Sequence, residues 1–94
     1  MKMLMIVVES SCREELEVLL NKNEILGYSE ISQAHGVGKT GPRLGSRAFP
    51  KTSSVFFCVV AADKVDQVVK DVRAYCDHCG RDMKIIIWGV EQVA

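Results

Sequence analysis

Extremes are scarce in this chain. Its 94 residues hold two prolines and one tryptophan, and formal net charge is zero. A neutral balance argues against a dedicated nucleic-acid binder, which carries a basic field. No apolar run approaches the ~20 residues that a membrane-spanning helix needs. The run Met3–Val8 is too short for a secretory leader, and Glu9 and Arg13 follow it without a small-residue cleavage site, so the expected location is cytoplasmic. The motifs of catalysis are missing too. There is no H-E-x-x-H, no nucleophile–base pair at a known spacing, and Gly36–Thr40 lacks the Walker spacing of a complete P-loop. The expectation is a protein that is not an enzyme.

Hydrophobic residues make up 48% of the chain and charged residues 26%, an ordinary globular composition sized for one domain over residues 1–94. Four cysteines are present. Cys12 falls on a helical apolar stripe, Cys58 lies mid-strand, and Cys76 and Cys79 extend the stripe of a second helix. Such placement predicts buried, reduced thiols.

Lys2–Val8 reads as a strand. Ser11 and Glu14 have capping-box spacing and open a helix from about Cys12 to Lys22, with Cys12, Leu16, Leu19 and Leu20 on one face. Gly27 ends the connection to a half-exposed strand over Tyr28–Gln33. Ser53–Ala62 is a strong third strand. Asp63 caps a second helix whose apolar face is Val65, Val68, Val69, Val72, Tyr75, Cys76 and Cys79. After Gly80, Lys84–Gly89 forms a fourth strand. The order β-α-β-β-α-β predicts an α+β, ferredoxin-like domain, with a four-stranded antiparallel sheet and two helices on one face. Val55–Val60 and Ile85–Trp88 are apolar on both faces, yet the helices cover only one. The uncovered face therefore predicts an oligomer with its sheets turned inward.

The segment Gly36–Lys51, GVGKTGPRLGSRAFPK, is where function concentrates. It carries four of the seven glycines, both prolines and the cations Lys39, Arg43, Arg47 and Lys51, without an acidic residue. A hairpin needs only two to five connecting residues, so a loop of this length and single sign predicts a site for a phosphate, a carboxylate or an acidic partner surface.

Two stretches resemble the PII signal-protein superfamily. Ser29–Gly38, SEISQAHGVG, looks like that family's second strand running into the G-x-G at the base of its T-loop. Lys84–Val93, KIIIWGVEQV, looks like its K-I-F-V-x-x-V-E-x-V close. The resemblance implies a homotrimer that senses a small anionic effector in clefts between subunits, with ATP, ADP or AMP as the class. It assigns ligand binding to Gly36, Gly38, Lys39, Thr40 and Lys84, and Arg81 is expected to supply charge where the family's second-loop glycines are missing. It further implies a T-loop-like segment over residues 39–52, in which Arg43, Arg47 and Lys51 meet a partner such as a transporter or an enzyme. Asp82 and Lys84 keep register with the family's second loop, and the segment 39–52 contains no tyrosine to be modified.

A competing reading rests on Cys76-Asp77-His78-Cys79. Paired cysteines with an intervening histidine suit a soft metal, as in a trimer resembling the divalent-cation-tolerance protein CutA, although one pair plus His78 is half of a structural zinc site. A purely structural trimer is the third reading. His35 is expected as a partly exposed strand-end histidine, and Trp88 as a filler of a subunit interface or core.

Overall fold

The computed structural model describes residues 1–25, 27–38, 41–75 and 83–94. Its elements run β1 (Lys2–Glu9), α1 (Arg13–Lys22), β2 (Ser29–Ala34), β3 (Gly36–Gly38), β4 (Gly41–Arg43), β5 (Ser53–Val60), α2 (Val65–Tyr75) and β6 (Lys84–Gly89). Short 3₁₀ turns at Ser10–Cys12 and Ala62–Lys64 lead into the two helices. Strands β2, β5, β1 and β6 form one antiparallel sheet in that order, and β3 pairs with β4 in a separate two-stranded hairpin. The ferredoxin-like arrangement expected from the sequence is therefore present.

Strand periodicity decides what is buried. On β1, Leu4, Ile6 and Val8 point to one side; on β5, Phe56, Cys58 and Val60 do the same. These side chains meet Leu16, Leu19 and Leu20 of α1 and Val68 and Val72 of α2 in one core. Tyr28 lies tilted over Phe56 with ring centroids 5.6 Å apart, a favourable aromatic geometry. The opposite sheet face is also apolar. Cross-strand register places Met5 between Phe57 and Ile86, and Met3 between Val59 and Trp88. Val59, Ile86 and Trp88 are each about 40% exposed, and Ile31 on β2 is 56% exposed. The two-faced apolarity of the central strands thus becomes a broad uncovered patch, of a size rare on a chain that stays alone.

Both helix starts differ from expectation. The Ser11–Glu14 capping box does not form: the Ser11 hydroxyl donates instead to Glu9 Oε1 at 3.2 Å, and Cys12 stands at the helix N-cap without a side-chain cap bond. Asp63 lies inside the 3₁₀ turn rather than capping α2. In both places the 3₁₀ turn tightens the chain before the α-helix begins, which displaces the capping residue from its geometry. The helix α1 ends at Lys22, as expected, through a local motif. Ile25 N–H donates to Leu20 O at 2.9 Å and Glu24 N–H to Asn21 O at 3.0 Å, the two bonds of a Schellman motif. Glu24 takes the left-handed position with φ 60°. Burial of Ile25 beside Leu20 in the core supplies the hydrophobic contact that accompanies the motif.

A bidentate ion pair fastens α1 to β2. Arg13 Nε and Nη2 donate to the two carboxylate oxygens of Glu30 at 2.6 Å each, and Nη2 also reaches Glu17 Oε1 at 2.9 Å. The Arg13 guanidinium holds the Glu30 carboxyl below the usual carboxylate range.

The cysteines also depart from the reduced state expected of all four. Cys58 is a buried free thiol, pushed up in pKa by burial, whereas Cys12 is disulfide-bonded. A stripe of apolar spacing places a cysteine in a core, but it carries no information on whether a second sulfur lies within bonding distance. Among the described residues, no helix is long and apolar enough to cross a membrane.

Candidate functional site at the loop base

The site begins with an irregularity in β2. Ser29 to Ile31 pair with Phe57 to Val55 in regular register, but the register shifts before Ala34, which faces Ser53. Gln33 absorbs the shift in the left-handed region, φ 54°. Such a bulge bends its strand, and here it turns the chain out of the sheet just before His35.

Beyond His35 the chain is more ordered than a single irregular connection. Gly36, Val37 and Gly38 face Arg43, Pro42 and Gly41 across the small hairpin. Gly41 has φ 102°, a conformation that side chains rarely adopt, and a Cβ added at Gly36 or Gly38 would meet open space. The glycines therefore leave the hairpin backbone approachable. Residues beyond β4 then close a compact turn. Leu44 N–H and Ser46 N–H both donate to Phe49 O, at 3.3 and 3.0 Å, and Gly45 N–H donates to Lys51 O at 3.2 Å. Gly45 is also a packing requirement. It has φ 61°, and a Cβ there would lie 3.0 Å from His35 Nε2 and 3.1 Å from Thr52 Cγ2. The turn is folded against the histidine that precedes the hairpin.

The end of β1 anchors this assembly. Ser10 N–H donates to Thr52 O at 3.1 Å, and the Ser10 and Thr52 hydroxyls are 2.8 Å apart. Glu9 Oε2 lies 4.0 Å from Arg43 Nη2 and 3.9 Å from Lys51 Nζ. Two of the three loop cations expected to face a partner thus lie beside an acidic residue of the sheet, and only Arg47 stands at the exposed tip.

Register brings the second expected ligand segment to the same place. Lys84, the first residue of β6, pairs with Val7, two residues before Glu9, while Glu9 itself faces Ser53 and Ser53 faces Ala34. The exit of β2, the entry of β5, the exit of β1 and the entry of β6 therefore share one end of the sheet. The hairpin with Gly36, Gly38 and Arg43 leaves from this end beside β2, Lys51 enters it beside β5, and Lys84 begins β6 at the same end on the opposite edge of the sheet. Lys39, Thr40 and Arg81 lie outside the described residues, as do Cys76, His78 and Cys79 of the metal alternative. No group of three or more His, Cys, Asp and Glu side chains that would hold a metal ion occurs among the described residues.

A family model for "Nitrogen regulatory protein P-II" matches residues 1–94. The chain belongs to the P-II family. No curated protein matches the sequence. Among solved structures, this P-II chain is similar to CPII, a nitrogen regulatory PII-like protein from Thiomonas intermedia K12 bound to ADP, AMP and bicarbonate. The TM-score is 0.77 at 17% identity, over 93% of this chain and 82% of that one. The apo form of CPII gives a TM-score of 0.70 at 15% identity, over 93% and 85%. A DUF3240 family protein from Shewanella baltica OS155 gives 0.77 at 15% identity, over 99% and 92%. Identities this low establish a shared fold, and the P-II resemblance seen in SEISQAHGVG and KIIIWG falls on β2 through β3 and on β6, which lie on opposite edges of the sheet.

Two contributors to the site were not legible in the sequence. Glu9 sits 34 positions before Arg43 and had no local signal beyond a charge at the end of an apolar strand. His35 was expected as an exposed strand-end residue; it is exposed, but its ring also forms the surface on which Gly45 packs.

Proposed function

We propose that this P-II family chain is a regulatory protein that binds a small anionic effector of the adenine-nucleotide class and signals to a partner through the Gly36–Lys51 loop. The observation that carries the reading is the open glycine hairpin, with Arg43 and Lys51 gathered beside Glu9 at its base, at the same end of the sheet as Lys84. Accessible glycine backbone with cations from separate elements is the chemistry of a phosphate site. That CPII, a protein of the same fold, is bound to ADP, AMP and bicarbonate supports the ligand class. Residues Gly36, Gly38, Lys39, Thr40, Arg81 and Lys84 hold the effector, and Arg43, Arg47 and Lys51 serve the partner-facing side. No catalytic step belongs to the proposal.

The uncovered sheet face supports the second half of the reading, a homotrimer whose sheets turn inward and whose effector sites lie in clefts between subunits. Met5, Phe57, Val59, Ile86 and Trp88 would form its interior.

Light scattering on size-separated protein tests the assembly, with about three times the 10.4 kDa chain mass expected. Isothermal titration of ATP, ADP, AMP and bicarbonate into metal-free protein tests the site. Saturable binding near one ligand per chain is expected, and Lys84→Ala removes it while leaving the assembly mass unchanged. A monomer, or binding indifferent to Lys84→Ala, contradicts the corresponding half.

A further inference from the structure

One carboxylate at the loop base has no role in that reading. Glu9 places Oε2 within 4.0 Å of both Arg43 Nη2 and Lys51 Nζ, while its other oxygen accepts the Ser11 hydroxyl. Arg43 is 12% exposed at its side chain and Glu9 21%, so this is a partly desolvated cluster. Chemically, a carboxylate flanked by two cations is what an oxyanion ligand would itself present there.

We propose that Glu9 is a built-in competitor for the effector's anionic group. It engages Arg43 and Lys51 and so keeps the loop folded onto the end of β1. A phosphate or carboxylate gains those two cations only by displacing it. The inference rests on the reading that the loop base takes a small anion, and it extends that anion's contacts to Arg43 and Lys51, which otherwise serve the partner-facing side.

Three features make the exchange workable. The Glu9 contacts, at 3.9 and 4.0 Å, are looser than the 2.7–2.9 Å of a charge-assisted hydrogen bond, whereas Arg13–Glu30 closes to 2.6 Å at both oxygens. One pair is built to persist and the other to yield. A phosphate carries more charge than the carboxylate it replaces, so the cations gain from the exchange. Finally, Arg43 faces Gly36 directly across the hairpin, so a shift of Arg43 moves the backbone proposed to cradle the ligand. Gly45 N–H on Lys51 O then reports whether the turn stays closed.

The test compares wild type with Glu9→Gln, Lys51→Gln and the double variant, in the full chain. Amide exchange at Gly45 and Ser46 is read without ligand, and titrations with inorganic phosphate and with ADP are read on the Arg43 and Lys51 resonances. Exposed ion pairs are weak, so each single variant is expected to accelerate Gly45 exchange on the order of two- to fivefold. The double variant should add little beyond Glu9→Gln, because the same pair is already broken. Phosphate or ADP should bind Glu9→Gln on the order of two- to fivefold more tightly than wild type. Unchanged exchange in both single variants overturns the proposal. Faster exchange with equal or weaker anion binding also overturns it, leaving Glu9 as a tether without competition. If phosphate moves Arg43 and Lys51 more in Glu9→Gln but ADP binds neither protein, the competitor stands and the nucleotide reading falls. If neither anion moves them in any variant, both fall.

Discussion

Glu24 offers a clean perturbation, because its backbone and its side chain do separable things. The residue has φ 60° at the position of a Schellman motif that glycine ordinarily fills, and its carboxylate, 86% exposed, lies 3.9 Å from Lys64 Nζ. Holding a side-chain-bearing residue in the left-handed region costs about 1–2 kcal/mol. Glycine removes that strain but adds freedom to the unfolded chain, which takes back about 0.4–1 kcal/mol. The Lys64 pair is worth at most a few tenths of that scale at such exposure. Glu24→Gly should therefore stabilise the protein by roughly 0.5–1 kcal/mol, or a few degrees in midpoint for a chain of this size. Glu24→Ala is the control: it deletes the carboxylate and keeps the strain, so it should be neutral or slightly destabilising. The assay is urea unfolding followed by circular dichroism at one fixed protein concentration, since association with partner subunits would otherwise enter the midpoint. A Glu24→Gly protein no more stable than Glu24→Ala would refute the account of how α1 ends.

The interior supplies two further tests. The folded-state pKa of Glu30 lies below its unfolded value, so its contribution to stability is present above the usual carboxylate pKa and lost as pH falls through the lower, folded one. Wild type should lose more of its urea midpoint between pH 6 and pH 3 than Glu30→Gln does, and parallel pH dependences would contradict the Arg13 pairing. For the cysteines, Cys12 is disulfide-bonded and Cys58 is a buried thiol. Thiol titration in denaturant should count fewer groups without reductant than the four cysteines give after reduction, with Cys58 silent in the native protein because it is buried and its thiolate is disfavoured; four titratable groups before reduction would remove the disulfide.

Much of the architecture was legible because it comes from periodicity. Lys84–Gly89 is a strand with the bounds its apolar run suggested, and Ser53–Val60 stops two residues short of the expected Ala62 because the chain tightens into a 3₁₀ turn at Ala62. The apolar stripes of α1 and α2 placed Leu16, Leu19, Leu20, Val68 and Val72 in the core where they are found. The excess of apolar residues on β1, β5 and β6 likewise announced an uncovered sheet face. The site was half legible: glycine content and unbroken positive charge marked Gly36–Lys51 as the place to look.

Features that depend on neighbours along the chain were thus already set by the order of residues: element order, the buried stripes, the excess of apolar sheet surface and the unbroken positive charge of the loop. Features that depend on distant residues being brought together were settled by the fold alone. Glu9 meets Arg43 and Lys51, and Ser10 meets Thr52, because antiparallel register puts the ends of β1 and β2 and the starts of β5 and β6, where Lys84 lies, at one end of the sheet. The left-handed turns at Glu24 and Gln33 belong to the same class. Neither residue type prefers that conformation; at Glu24 it accompanies the two bonds that close α1, and at Gln33 the register shift between Ile31 and Ala34.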